Sequence, residues 1–189
     1  MAVACQQQGV MTRVQLRGIG LTDDAIDGML KTKRLRPALR GVYLVSAIVG
    51  PQAREMAAVL ACGGAGVISH WSAGALLELQ ALAGDTSVVH VSVTRGHCWR
   101  REGLRVHRTR LLQEDEVTKL HGIPLTTAAR TVYDVASASS HCELERALAE
   151  ALSRNLTNSE ELRRILARYA RQPGRAGCVR WSNRKRSRR

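Results

Sequence analysis

Phenylalanine is absent from this chain, and its 189 residues hold only three Trp and three Tyr. The core must therefore be assembled from Leu, Val, Ile and Ala, and no aromatic platform exists for stacking unpaired bases. The five cysteines (Cys5, Cys62, Cys98, Cys142, Cys178) are scattered, odd in number and without a C-x-x-C pair. That spacing argues against a disulfide framework and a zinc knuckle, and fits a reducing compartment. The longest apolar run, Met56 to Ile68, is thirteen residues and broken by three glycines, too short to span a bilayer. A charged start followed by an apolar run, the mark of a secretion signal, is missing from the first ten residues. A cytoplasmic protein without membrane association is expected. Also missing are G-x-x-x-x-G-K-[ST], G-x-G-x-x-G and H-E-x-x-H, which excludes the usual nucleotide-binding and zinc-protease chemistries.

Positive charge is plentiful and unevenly spread. The net charge is +13. Residues 1–50 carry seven Lys/Arg and three Asp/Glu, residues 51–161 carry eleven and thirteen, and residues 162–189 carry eleven basic side chains and no acid. The high pI is thus mainly a property of the C-terminal stretch, which lacks periodicity beyond Arg171 and reads as a basic disordered tail.

The most informative segment runs from Gly9 to Val45. It predicts a short helix over Arg13–Gly18, a turn at Gly18-Ile19-Gly20, a second helix over Asp23–Lys31 and a basic strand pair closing at Arg40-Gly41. Thr12 and Thr22 each precede a helical run, where a hydroxyl can accept from free first-turn N–H groups. Ile26, Met29 and Leu30 form one apolar stripe. Two short helices across a glycine turn, then an arginine-tipped β-ribbon, form the pattern of a winged helix-turn-helix. In that reading the helix from Asp23 to Lys31, with Thr22, Asp27 and Lys31, enters the major groove. Lys33, Arg34, Arg36 and Arg40 on the wing meet phosphates or the minor groove, and Arg13 and Gln15 touch the backbone. Asp23, Asp24 and Asp27 run against it. The first two favour the helix dipole; Asp27 has no such role, since it falls on the exposed face.

After Val45 the composition changes. Ser46 to Pro51 reads as a linker with Pro51 at the first helical position. Then come a helix to Ala61, a strand over Ala65–Ser69, a helix over Ser69–Leu79 and a β-branched strand over Val88–Val93. A half-exposed strand at 104–110, an extended segment at Gly122–Leu125 and a helix over Thr127–Ala138 are next. Two amphipathic helices, 141–152 and 158–170, complete the pattern. The expected fold is α/β (α+β): an N-terminal winged helix-turn-helix (1–47), a mixed α/β body ending in two amphipathic helices (51–171), and a basic tail (172–189).

Candidate chemistry in the body is sparse. Ser69-His70 suggests a nucleophile and base, but chain neighbours seldom meet in that geometry, so a helix cap at Ser69 or Ser72 with a packed His70 is expected. Arg130 and Asp134, one turn apart, suit a structural ion pair. Glu114-Asp115-Glu116 reads as a solvated face. His90, His97 and Cys98 match no zinc spacing and lack a fourth ligand. No catalytic residue, metal ligand or cofactor is assigned. Arg100, Arg101, Arg105, Arg108 and Arg110 are candidates for further backbone contacts.

Several segments together carry a resemblance. They are Gly9-Val10-Met11-Thr12-Arg13, Gly20-Leu21, Lys33-Arg34-Leu35 with Arg40-Gly41-Val42-Tyr43, and Ala57–Gly63. Further on come Ile68-Ser69-His70-Trp71-Ser72-Ala73, Gly122-Ile123-Pro124-Leu125-Thr126 and Ala129-Arg130-Thr131-Val132-Tyr133-Asp134. In this order they resemble actinobacterial proteins of the AbiEi antitoxin type. The resemblance implies a non-enzymatic DNA-binding transcriptional regulator, with double-stranded DNA and a cognate nucleotidyltransferase-like toxin as partners. The Gly-Ser and Asp-x-Asp motif of such a toxin is missing from this chain. Many relatives continue into a domain similar to very-short-patch-repair endonucleases. Here the sequence after Gly177 becomes CVRWSNRKRSRR, so a truncated relative is expected and nuclease activity is not carried over. Two other readings stay open: the targeting remnant of a nuclease-linked protein, and a protein-interaction module without DNA binding.

Overall fold

Two threonines set the frame of the N-terminal part. In the computed structural model, which describes residues 2–82, 87–94 and 102–169, Thr12 and Thr22 cap helices α2 (Arg13–Gly18) and α3 (Asp23–Lys31) at the expected residues. At Thr12 the cap is reciprocal. Its Oγ1 accepts from Gln15 N at 3.1 Å, and Gln15 Oε1 accepts from Thr12 N at 2.9 Å, satisfying two first-turn donors that would otherwise be orphaned. A short leading helix, α1 (Ala2–Gln6), and strand β1 (Val10–Thr12) precede them. The hairpin β2 (Leu35–Leu39) and β3 (Val42–Val45) comes next, turning at Gly41 with φ +76°. The three strands form an antiparallel sheet in the order β1-β3-β2. Pro37, which cannot donate to a ladder, is tolerated because β2 lies at the edge. Ile26, Leu16, Leu35, Met11 and Tyr43 make the small core of this module, with Leu21, Met29 and Leu30 packed around it. Its element order is the one expected of a winged helix-turn-helix.

Gly9 lets this module sit close against the segment that leads into the body. Its φ is +75°, and a Cβ built there would stand 2.3 Å from the Ile48 carbonyl oxygen, so no other residue fits.

The body is a five-stranded mixed sheet in the order β6-β5-β4-β8-β7. Its strands are β4 (Val67–Ile68), β5 (Val89–Val93), β6 (Leu104–Arg108), β7 (Val117–Leu120) and β8 (Ile123–Thr126). Pairs β5/β6 and β4/β8 are parallel, and β4/β5 and β7/β8 antiparallel. Helix α4 (Ala53–Ala61) buries Ala53, Met56, Ala57, Ala58 and Val59, too many for one stripe. It does so because it lies between the two sheets: Val10 and Val42 of the first share its core with Ile68, Val91 and Leu125 of the second. Beyond the sheet, α5 (His70–Leu76), α6 (Ala128–Val135), α7 (His141–Ser153) and α8 (Ser159–Arg168) enclose a second core around Val132, Leu144, Leu148 and Ile165. The architecture is α+β, as expected.

Some expectations need correction. Pro51 does not open α4, which starts at Ala53. The strand expected over Ala65–Ser69 shrinks to Val67–Ile68. Cys62 is disulfide-bonded rather than reduced, while Cys5 and Cys142 are free and exposed. No helix among the described residues is long and apolar enough to cross a membrane. The basic tail at 172–189, together with Arg100, Arg101, His97 and Cys98, lies outside the described residues.

Candidate nucleic-acid interface

Helix α3 carries Asp23, Asp24 and Asp27, and the structure gives two of them a partner. Arg13, at the start of α2, donates from Nε to Asp23 Oδ1 at 2.8 Å and from Nη2 to Asp27 Oδ1 at 3.1 Å. Its Nη1 reaches the Tyr43 hydroxyl at 3.3 Å. Asp23 and Asp27 are one turn apart on α3, so a single guanidinium from α2 bridges both and ties the two helices to β3. The Arg13 guanidinium holds the Asp23 carboxyl below the usual carboxylate range, and these carboxylates in turn raise the arginine. Arg17 comes within 4.0 Å of the other Asp23 oxygen. Asp27, which has no role along its own helix, is a helix–helix tether.

The remaining residues expected at DNA divide into two groups. Thr22 uses its hydroxyl as a cap, and Gln15 is bound into the reciprocal cap at Thr12. Lys31, Lys33, Arg34, Arg36 and Arg40 are all exposed along one continuous stretch, from the end of α3 to the hairpin turn. Lys31, Lys33, Arg34 and Arg36 make no ion pair among the described residues. Lys33 has φ +58°, which turns the chain out of α3 and into the wing. On the body, Arg105, Arg108 and Arg110 are exposed on and just after β6.

Two side-chain clusters in the body are not legible in the sequence. Glu116, expected on a solvated face, is wholly buried. Its carboxylate accepts from Arg130 Nη1 at 2.7 Å, from the Tyr169 hydroxyl at 2.7 Å and from Arg168 Nη1. Arg130 also donates from Nε to Asp134 Oδ1 at 2.7 Å and stacks 4.5 Å from the centre of the Tyr169 ring. The Arg130–Asp134 pair is therefore present, inside a buried network joining α6, α8 and the turn before β7. Burial raises the Asp134 carboxyl to about 6, against the lowering effect of Arg130, and its Oδ2 has no hydrogen-bond partner among the described residues.

The second cluster surrounds Ser69-His70. His70 has φ +52°, and that backbone turn brings its Nδ1 within 2.9 Å of Ser69 Oγ, which corrects the expectation that these neighbours stay apart. Ser69 occupies the N-cap position of α5 without capping it; its hydroxyl instead accepts from Ser92 Oγ at 2.8 Å. Ser72 is no cap either, because its Oγ accepts from His90 N. The His70 ring stacks on His107 at 3.6 Å between centroids, and His90 Nδ1 is 2.9 Å from His107 Nε2. Burial, then repulsion between the rings, pushes His70 down to about 2 and His107 to about 4, so both are neutral near pH 7. Spacing links His90 to His97 and Cys98; the pairing of β5 with β6 brings it to His107, and α5 brings His70 to both. The one signal available in the sequence is the alternation of β6, which puts His107 on the same face as Arg105.

Compared with known families, residues 80–182 match a family model described as AbiEi antitoxin C-terminal domain. A search among curated proteins finds no match. The matched segment covers more than half of the chain, from the turn after α5 through β5–β8 and on to α6, α7 and α8.

Proposed function

The chain belongs to the AbiEi antitoxin family, and from that membership we propose that it is an antitoxin-type transcriptional regulator. It binds operator DNA with α3 in the major groove and the β2–β3 wing on the flanking backbone. The observation that carries this reading is the exposed run of cations Lys31, Lys33, Arg34, Arg36 and Arg40, continuous from the end of α3 to the wing tip. Arg13 bridges two of the three acids on α3, and its one positive charge offsets part of their repulsion from phosphates. Sequence readout falls to α3, with Thr22 and Lys31 nearest the bases. Arg105, Arg108 and Arg110 add backbone contacts, and a cognate toxin is the protein partner.

The test uses the full chain and the duplex upstream of its own gene, against a scrambled duplex, across a salt series. Specific binding is expected, with log affinity falling against log salt by roughly 0.9 per phosphate contact. Arg36→Ala with Arg40→Ala should flatten that slope by about 2 units. Equal weak binding to both duplexes, lost on deleting residues 172–189, would assign all affinity to the tail and overturn the docking.

A second reading has its own observation. Val14 and Ile19, on α2 and the turn after it, are 79% and 56% exposed, an apolar feature suited to a protein surface. If the module contacts protein rather than DNA, Val14→Ser should weaken toxin binding and leave DNA binding unchanged.

A further inference from the structure

We infer that His70, His90 and His107 form a three-imidazole site for a divalent transition-metal ion of the zinc class. Each residue offers one ring nitrogen, and the three nitrogens lie within 4.8 Å of one another. They come from three elements. His70 opens α5, His90 is on β5, and His107 is on the parallel neighbour β6. His90 pairs with Arg105 in the ladder and His107 with Ser92, so both histidines project from one face of the sheet, the face that α5 covers.

The distances suit a tetrahedral ion after small movements. Bonds of about 2.0–2.1 Å at the tetrahedral angle require nitrogens about 3.3 Å apart. His90 Nδ1 and His107 Nε2 are 2.9 Å apart and must separate by under half an ångström. The His70 nitrogen must close in by at most about 1.5 Å, a shift small enough for the α5 end to supply while Nδ1 keeps Ser69. The donor set selects the metal. All three ligands are imidazoles, which suit zinc, copper, nickel and cobalt, whereas calcium and magnesium require oxygen ligands.

A supporting layer is already built. Ser92 Oγ donates to Ser69 Oγ, which is 2.9 Å from His70 Nδ1, and Ser69 and Ser92 are 0% and 2% exposed. When His70 Nδ1–H donates to that hydroxyl, Nε2 keeps the lone pair that an ion needs, the usual way a second shell fixes a ligand's tautomer. Trp71 packs edge-on against His90 at 5.1 Å and walls one side. Arg105 and Arg130 disfavour positive charge at the His70 ring, so the three imidazoles must outweigh them to hold a dication. The bound ion would join α5 to the β5–β6 pair. This site is independent of the DNA-binding reading.

The test is metal binding by the full chain, purified through a chelator and then titrated with cobalt(II) and with zinc(II). One cobalt per chain, with the visible bands of a four-coordinate ion, is expected. Zinc at a hundred times its dissociation constant should raise Tm by about 5–10 °C. His70→Ala and His107→Gln should abolish both effects, while His121→Ala and His141→Ala, at exposed histidines outside the cluster, should not. Circular dichroism of each variant separates lost binding from lost fold, and His107→Gln keeps a planar polar side chain on β6 for that reason. Absence of the cobalt bands, or their persistence in folded His107→Gln, would overturn the assignment.

Discussion

Replacing Arg130 with methionine tests the buried network most directly, because its cost can be bounded from two sides. The arginine holds two carboxylates, at 2.7 Å each, and the side chains of Arg130, Glu116 and Asp134 are 5%, 0% and 6% exposed. Without it, Glu116 keeps Arg168 and the Tyr169 hydroxyl. Asp134 keeps no partner among the described residues, where its other oxygen is already unpaired. Removing one member of a buried ion pair costs about 3–5 kcal/mol. The penalty from Asp134 has a ceiling, because the group can take up a proton. From an ordinary carboxyl value to pH 7 that costs about 4 kcal/mol. Arg130→Met should therefore lose roughly 3–5 kcal/mol at pH 7, a fall in Tm of about 6–20 °C for a chain of this size. At pH 5 the protonation cost drops to about 1.5 kcal/mol, and the deficit should shrink with it. Adding Asp134→Leu to Arg130→Met should restore most of the loss, since the stranded acid is gone. Urea denaturation tracked by circular dichroism measures all three quantities. A loss under about 1 kcal/mol at pH 7, or no recovery in the double variant, would refute the view that Arg130 is held there by charge.

Three further outcomes rest on the same geometry. Asp134 binds its proton more tightly folded than unfolded, its carboxyl standing near 6 against an ordinary 3.8. Its contribution to stability is therefore full below pH 4 and is lost as pH rises to about 6. Relative to Asp134→Leu, the wild type should gain about 2 kcal/mol between pH 7 and pH 4.5 in urea melts, and a gain in the opposite direction would mean that Arg130 outweighs burial. Gly9→Ala should cost at least about 2 kcal/mol, from its left-handed backbone and the collision with Ile48; unchanged thermal unfolding would contradict the close approach. Arg13→Ala should weaken operator binding by releasing Asp23 and Asp27, and adding Asp23→Asn and Asp27→Asn should recover it, both read by fluorescence anisotropy. If Arg13→Ala alone leaves affinity unchanged, the carboxylates do not face the duplex.

Local chemistry determined the N-terminal module. Helices α2 and α3 are legible to the residue because a threonine cap, an apolar stripe and a glycine turn act within a few positions of one another, and that information is complete in the sequence. The alternating strands and the two last helices are legible for the same reason, and the family kinship rests on ordered short segments of this kind. Tertiary structure alone decided the role of Asp27, because its partner Arg13 belongs to another helix. It alone buried Glu116, since the acid run looks solvated until α6 and α8 bring Arg130, Arg168 and Tyr169 over it. And it alone gathered His70, His90 and His107, which no spacing rule connects. Their meeting comes from the parallel pairing of β5 with β6 and from α5 crossing that face, and pairings between distant segments are set by the whole core rather than by any window of residues.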